Sequence, residues 1–268
     1  MTDPVFKAAS LPFEILESLA VPCAYERSFK LTGSQILANR YLLAIDTSQV
    51  SNQQLLDACS KMNMPPALLK QFQAKLINAN KAALSFEADA EGGALFKVYL
   101  EYWEYLRRKM QRHPGSEEPG LLYTGFKWQY DNPEKNIVSK YQYLPGLTAA
   151  RIQNHLIEQY DKLPENNCLA IVFQIMELAQ SGVADKNFMF VEVSEQGTPR
   201  KSFDLNLYRA DLKVSDIAQQ LQQAATLFSV NRQQFTRLMS IISEKPLGHI
   251  SAGIGRDGEE YFSVYYEN

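Results

Sequence analysis

Ten extended runs, paired into five hairpins and each carrying one apolar and one polar face, set the tightest limit on how this 268-residue chain can fold. The first pair is Tyr25 to Leu31 with Ile36 to Ile45, and the second is Leu84 to Ala88 with Leu95 to Tyr102. Tyr123 to Tyr130 with Ile137 to Leu144 is the third, and Phe188 to Ser194 with Ser202 to Arg209 the fourth. His249 to Gly255 with Tyr261 to Tyr266 closes the series. Turn-forming residues join the partners: Thr32-Gly33-Ser34, Glu91-Gly92-Gly93, Asp131-Asn132-Pro133, Gln196-Gly197 and Asp257-Gly258. In such turns glycine supplies the backbone conformation that a tight reversal needs.

Helical patterns lead in and separate the hairpins. Pro4 to Ala20 comes first, and Gln53 to Asn80 follows, broken at Pro65-Pro66, a pair that can start a helix but not sit inside one. A weaker stretch covers Tyr105 to Arg112. Ala149 to Leu163, Ala170 to Gln180, Val214 to Phe228 and Arg232 to Ser243 complete the set. The pattern is a ββα unit repeated five times.

Side chains alternate sides along a strand with period two. In the first strand Tyr25, Phe29 and Leu31 oppose Glu26, Ser28 and Lys30, with Arg27 an exception on the apolar side. In the fourth, Phe96, Val98 and Leu100 oppose Lys97, Tyr99 and Glu101; in the fifth, Phe126, Trp128 and Tyr130 oppose Lys127 and Gln129. The eighth sets Phe203, Leu205 and Leu207 against Asp204, Asn206 and Tyr208, and the tenth sets Phe262 and Val264 against Ser263 and Tyr265. Helices need apolar surface to cover, so the apolar faces should point outward and the polar faces inward. An open sheet covered on one side would alternate in the same way. Closure is the expectation drawn from the even strand number and from the edges it would remove, with the open sheet as the alternative. The expected fold is an α+β, ten-stranded antiparallel β-barrel of five ββα units with helices outside, forming one domain over residues 1–268. Ten strands exceed the roughly eight whose interior side chains can fill, so a polar cavity is expected.

Composition narrows the function classes. With 27 Lys and Arg against 30 Asp and Glu, the formal charge is -3 and lacks the basic excess of a nucleic-acid binder. No apolar run approaches the roughly 18 residues of a membrane span. The first twelve residues carry no basic segment followed by an apolar one. The three cysteines, Cys23, Cys59 and Cys168, have no CxxC spacing and read as reduced, packed thiols of a cytoplasmic protein. His113, His155 and His249 are isolated, and no HExxH or aspartate-rich DDxxD motif is present, so no protein-held metal is expected. Glu87, Asp89 and Glu91 read as a polar strand end entering a Gly-Gly turn.

One stretch carries a family resemblance. Cys23-Ala24-Tyr25-Glu26-Arg27-Ser28-Phe29-Lys30 followed by Ile36-Leu37-Ala38-Asn39-Arg40-Tyr41-Leu42-Leu43 resembles the first hairpin of the cyanobactin prenyltransferases, members of the aromatic ABBA or PT-barrel group. Thr124-Gly125-Phe126-Lys127-Trp128-Gln129-Tyr130 and the closing Val264-Tyr265-Tyr266 are further similarities, and the strand order matches over nearly the whole chain. Lys127 is a departure, standing where the family's tyrosine-modifying members are associated with an acidic residue.

The resemblance implies transfer of a prenyl group from an allylic diphosphate to a side chain of a peptide, often a macrocyclic one. Such chemistry needs fixed positive charge for the leaving group, for which Arg40, Lys97 and Lys127 are candidates on inward faces. It needs aromatic faces to shield an allylic cation and line the diphosphate site, for which Tyr99, Tyr141, Tyr208 and Tyr265 are candidates. It needs a base, and Glu26 is the residue the resemblance assigns. Phe190, read as inward on the seventh strand, aligns with a position where a large aromatic limits the pocket to a five-carbon donor, dimethylallyl diphosphate; His249 would line the same pocket. Mg²⁺ is expected to be held mainly by the diphosphate. Two alternatives stand beside this reading: a prenyltransferase acting on a free small aromatic, and a noncatalytic barrel that binds a hydrophobic ligand or peptide.

Overall fold

A computed structural model describes residues 4–88, 93–160, 168–181 and 188–267. Asp89, Glu91 and the turn at 91–92 lie outside the described residues, as does the end of the helix expected to reach Leu163. The strands are β1 (Ala24–Thr32), β2 (Gln35–Asp46), β3 (Lys81–Ala88), β4 (Ala94–Glu101), β5 (Gly120–Gln129) and β6 (Asn136–Leu144). Then come β7 (Met189–Glu195), β8 (Lys201–Asn206), β9 (Leu247–Ile254) and β10 (Glu260–Glu267). They close into one barrel in sequence order, with β10 hydrogen-bonded to β1 and every neighbour antiparallel where the register is given. The expected fold class holds.

Two compact units divide the chain. The first comprises residues 1–27, 39–116 and 120–142. Its helices are α1 (Pro4–Leu19), α2 (Asn52–Lys61), α3 (Pro66–Lys75) and α4 (Trp103–Arg112), so the weak pattern after β4 is a full ten-residue helix. Ser51 caps α2, its hydroxyl accepting from Gln54 N while the Gln54 side chain accepts from Ser51 N. Pro65 and Pro66 open α3 as expected. Leu55 and Cys59 on α2, Leu68 and Phe72 on α3, and Ile15 on α1 cover Phe86, Phe96, Val98, Phe126 and Trp128 on the apolar face of the strands. The Trp128 Nε1 proton, which would otherwise be stranded in that core, is donated to Met62 O at 2.9 Å.

The second unit comprises residues 28–38, 117–119 and 143–268. Helices α5 (Ala149–Gln159), α6 (Leu169–Ser181), α7 (Ala218–Leu227) and α8 (Arg232–Ile242) place Ile152, Leu156, Val172, Met176, Leu221 and Phe235 in the core with Phe203, Leu205, Ile250 and Phe262. Residues Val214–Ile217 form a 3-10 turn ahead of α7 and not the start of the helix itself. Among the described residues no helix is long and apolar enough to cross a membrane.

Two sequence expectations fail here. Strand β8 ends at Asn206, and Tyr208 lies in the 3-10 turn Tyr208–Ala210, 39% exposed. The cause is local: Asn206 Oδ1 accepts from Tyr208 N at 3.2 Å and folds the chain back, and Asp211 closes the turn at a φ of 53°. Phe190 is not on the polar face. Opposite Leu205 in the ladder, it stacks on Phe203 at 5.7 Å and meets His155 of α5 edge-on at 5.8 Å. It belongs to the helix-covered core, and the residues of β7 on the polar face are its neighbours Met189 and Val191, opposite Asn206 and Asp204.

Candidate active site

Within the first unit, the ladder fixes which residues share the polar face. Arg40 on β2 stands opposite Glu87 on β3, Ser85 opposite Lys97 on β4, and Lys97 opposite Lys127 on β5. All four charged side chains are buried, with Arg40 7%, Glu87 9%, Lys97 8% and Lys127 3% exposed. They are the buried charged residues among the described residues of this unit: three cations to one carboxylate. Glu87 Oε2 binds the Lys97 ammonium and lies 3.2 Å from Arg40 Nε. Glu87 therefore pairs with two of the three cations.

An aromatic group adjoins these cations. Tyr99 follows Lys97 on the same face, and its ring lies 5.8 Å from Tyr141 of β6 with the planes at 75°. Tyr123, which the sequence reading passed over, meets Tyr141 edge-on at 5.9 Å. Lys127 Nζ sits 5.8 Å from the Tyr141 ring centroid, within reach of a cation-π attraction. Gly125, opposite Tyr99, makes room for the pair: a Cβ there would lie 2.9 Å from Tyr99 Cε1 and 3.3 Å from Tyr141 Cε2. A glycine in the middle of a strand is itself a sign that something approaches closely, and that signal was legible in the sequence.

Glu26 is half-buried on β1. Its neighbour Tyr25 packs toward α1, edge-on to Phe13 at 5.5 Å and to Tyr41 at 6.3 Å. Alternation then turns Glu26 to the other side of the strand, away from the helix.

The second unit carries its own polar cluster. His249 on β9 stands between Asn206 of β8 and Tyr265 of β10. His249 Nδ1 is 2.6 Å from Asp204 Oδ2, and its ring lies flat on Tyr265, with centroids 3.9 Å apart and planes at 10°. Tyr208, although off the strand, reaches the same ring at 6.4 Å. Further along this face Glu195 is held by Arg200 and Arg256 at 3.0 and 2.9 Å.

Of the cysteines, Cys59 and Cys168 are buried, and burial pushes both thiols up from their ordinary range. Cys23 is exposed, contrary to the expectation of three packed thiols. No group of three or more His, Cys, Asp or Glu among the described residues is placed to hold a metal ion.

No protein-family model and no curated protein matches this sequence, but solved structures match along nearly all of it. The prenyltransferase PriB in its apo form superposes with a TM-score of 0.63 at 12% identity, covering 100% of this chain and 91% of PriB. A 5-dimethylallyltryptophan synthase from Streptomyces coelicolor gives 0.60 at 12% identity over 91% of this chain and 81% of the synthase. NotF, solved with brevianamide F and DMSPP, gives 0.54 at 16% identity over 91% of this chain and 79% of NotF. At these identities the likeness is one of fold, and the fold is the closed barrel of the ABBA-type aromatic prenyltransferases.

Proposed function

We propose that this chain is a prenyltransferase that moves a dimethylallyl group from its diphosphate to a side chain of a peptide. The observation that carries the reading is the burial of Arg40, Lys97 and Lys127 on a single face that carries one buried carboxylate, Glu87. Buried cations in such excess fit an anion, and a departing diphosphate is stabilised most where fixed charges stand in a water-poor site. A binder of apolar ligands has no use for them. Tyr99, Tyr123 and Tyr141 offer ring faces beside the cations, suited to an allylic cation. Glu26 is the base assigned to the acceptor's proton.

The five-carbon donor is supported by the names of the structural neighbours, among them a 6-dimethylallyltryptophan synthase from Micromonospora olivasterospora solved with DMASPP and Trp. It no longer rests on Phe190. Mg²⁺ would be carried by diphosphate oxygens, where it would offset their charge, because Glu87 is already engaged by Lys97 and Arg40. The peptide acceptor is supported by the first hairpin, Glu26 to Arg40. A second reading, a free aromatic such as tryptophan, is favoured by what the neighbours were solved with.

The experiment is to incubate the protein with dimethylallyl or geranyl diphosphate, Mg²⁺, and a panel of L-tryptophan, linear peptides and cyclic peptides, and to follow mass. A gain of one isoprene unit on a peptide is expected. A gain on free tryptophan alone would select the second reading, and no gain on any acceptor would overturn both.

A further inference from the structure

Helix α4 of the first unit concentrates positive charge on an otherwise acidic chain. Its ten residues hold Arg107, Arg108, Lys109 and Arg112 against one acid, Glu104. The whole sequence has 27 Lys and Arg against 30 Asp and Glu, so 23 stand against 29 outside the helix, a net +3 on α4 and -6 elsewhere. Glu104 is engaged by Arg107 at 2.7 Å, while Arg108 and Arg112 have no acidic partner among the described residues. Cations in a last helical turn answer the helix dipole, which accounts for Lys109 and Arg112 but not for Arg108, which precedes that turn. Arg108 and Arg112 also stand four residues apart, where like charges weaken a helix.

The helix is fixed against its own unit. Glu104 N donates to Asn80 Oδ1 at 3.1 Å, and Leu106 is buried against Gly120 of β5, where an added Cβ would collide with it. Residues three and four apart share a helix face, so Trp103 and Met110 lie inward with Leu106, and Tyr105, Arg108 and Arg112 form an exposed outer stripe. Trp103 follows Tyr99 by four residues, at most about 14 Å of chain, so the helix starts close to the tyrosines of the candidate site in the same unit. An anionic membrane is a poor match, because the apolar side of α4 is turned into the protein and Tyr105 is its one exposed large apolar side chain. An extended nucleic acid would meet the acidic remainder of the chain. A short acidic peptide segment meets the stripe alone.

Resting on the peptide-acceptor reading, we propose that the outer face of α4 docks an acidic segment of the peptide acceptor, apart from the side chain that receives the prenyl group. Aspartate or glutamate carboxylates pair with Arg108 and Arg112, whose guanidinium groups can hold a carboxylate by two parallel hydrogen bonds. Charge pairing at an exposed surface acts on encounter and partner choice. Its effect therefore falls on the KM for the acceptor and not on kcat.

The test measures binding of fluorescein-labelled octaglutamate, of a neutral glycine-serine octapeptide, and of vesicles made of equal parts phosphatidylserine and phosphatidylcholine. Wild type is compared with Arg108→Glu/Arg112→Glu, with the milder Arg108→Gln/Arg112→Gln, and with Arg232→Glu/Arg237→Glu, which makes the same charge change at exposed positions of α8. Thermal melting verifies that each variant is folded. The wild type is expected to bind octaglutamate but not the neutral peptide, with an affinity that falls as salt rises. Charge reversal on α4 should weaken that binding at least about tenfold, the glutamine pair should fall between, and the α8 variant should stay within about twofold of wild type. In transfer assays with one acceptor peptide extended by either octapeptide, the glutamate extension should lower KM severalfold at unchanged kcat, and charge reversal on α4 should cancel the advantage. No binding of octaglutamate by the wild type, equal weakening on α4 and α8, tighter binding to the vesicles, or equal KM for the two extensions overturns the docking surface and leaves prenyl transfer standing. Transfer to no peptide overturns the acceptor reading itself, a failure that intact octaglutamate binding distinguishes from failure of the docking surface.

Discussion

Lys97 of β4 and Lys127 of β5 stand directly opposite each other on one face of the barrel wall, both buried. Directly opposed residues have Cβ atoms about 5 Å apart, and like charges in that relation destabilise a sheet. An anion placed between such groups removes the repulsion. Inorganic diphosphate is therefore expected to raise the melting temperature, by the equivalent of about 2.7 kcal/mol at a hundredfold excess over Kd. Lys127→Met should leave the ligand-free protein as stable or more so, since replacing a buried charge by a similar apolar volume is often neutral or favourable. It should abolish most of the diphosphate shift. A wild type that does not respond to diphosphate in a melting assay would contradict this account.

Glu87 is predicted to behave in the opposite way. Its carboxylate is the counter-ion of Lys97 and lies within 3.2 Å of Arg40, so Glu87→Gln leaves two buried cations facing each other across β3. Breaking a buried pair from one side costs about 3 kcal/mol or more. Urea unfolding of Glu87→Gln should register a loss of that order; a loss below about 1 kcal/mol would mean that the cations are balanced elsewhere.

Gly125→Ala should lower activity more than stability. The added Cβ meets the Tyr99 ring at 2.9 Å and the Tyr141 ring at 3.3 Å, and side-chain rings can shift where backbone cannot. We expect a melting temperature within a few degrees of wild type and a clear fall in kcat, as the rings are pushed from their edge-on relation. Unchanged kcat would remove these tyrosines from the reaction.

The barrel was legible because a strand of alternating character commits each residue to one face. Lys97, Tyr99 and Lys127 fall on the polar face for the same reason that Phe96, Val98 and Phe126 fall in the core. Where the pattern weakens, the reading fails. In β7 Phe190 and Val191 are both apolar, so periodicity could not say which faced the helices, and only the pairing of Phe190 with Leu205 decides it. Tyr208 continued the alternation of β8 on paper, but the side-chain bond from Asn206 ends the strand first. The roles of Glu87 and Asp204 depend on partners from neighbouring strands, Lys97 and His249, a relation that no single run of sequence contains.

Alkaline pH should weaken the fold. Burial pushes the Cys59 and Cys168 thiols up, and does the same to the hydroxyls of Tyr41 and Tyr160, which donate to Ala9 O at 2.6 Å and Lys201 O at 2.8 Å. In the unfolded chain the thiols ionise near 9.0 and the phenols near 10.0. A group whose folded value is raised contributes stability that is whole below its unfolded value and is lost as pH climbs above it. Unfolding free energy should accordingly be level near pH 8 and fall steadily toward about pH 10.5. A flat profile over that interval would refute the assignment. In the native protein at pH 8, Cys23 alone should react promptly with a thiol reagent, and denaturation should release the other two.

Glu26 gives the sharpest separation between binding and turnover. It lies on β1, and the cations proposed to hold the diphosphate lie on β2, β4 and β5. If the carboxylate takes a proton after the donor has bound, Glu26→Gln should keep the affinity for a nonhydrolysable donor analogue within about threefold while kcat drops by about 10² or more. Equilibrium binding and single-turnover transfer, measured on the same preparation, resolve the two quantities. A parallel loss of donor affinity would make Glu26 part of the diphosphate site, and a near-normal rate would leave proton removal to another group.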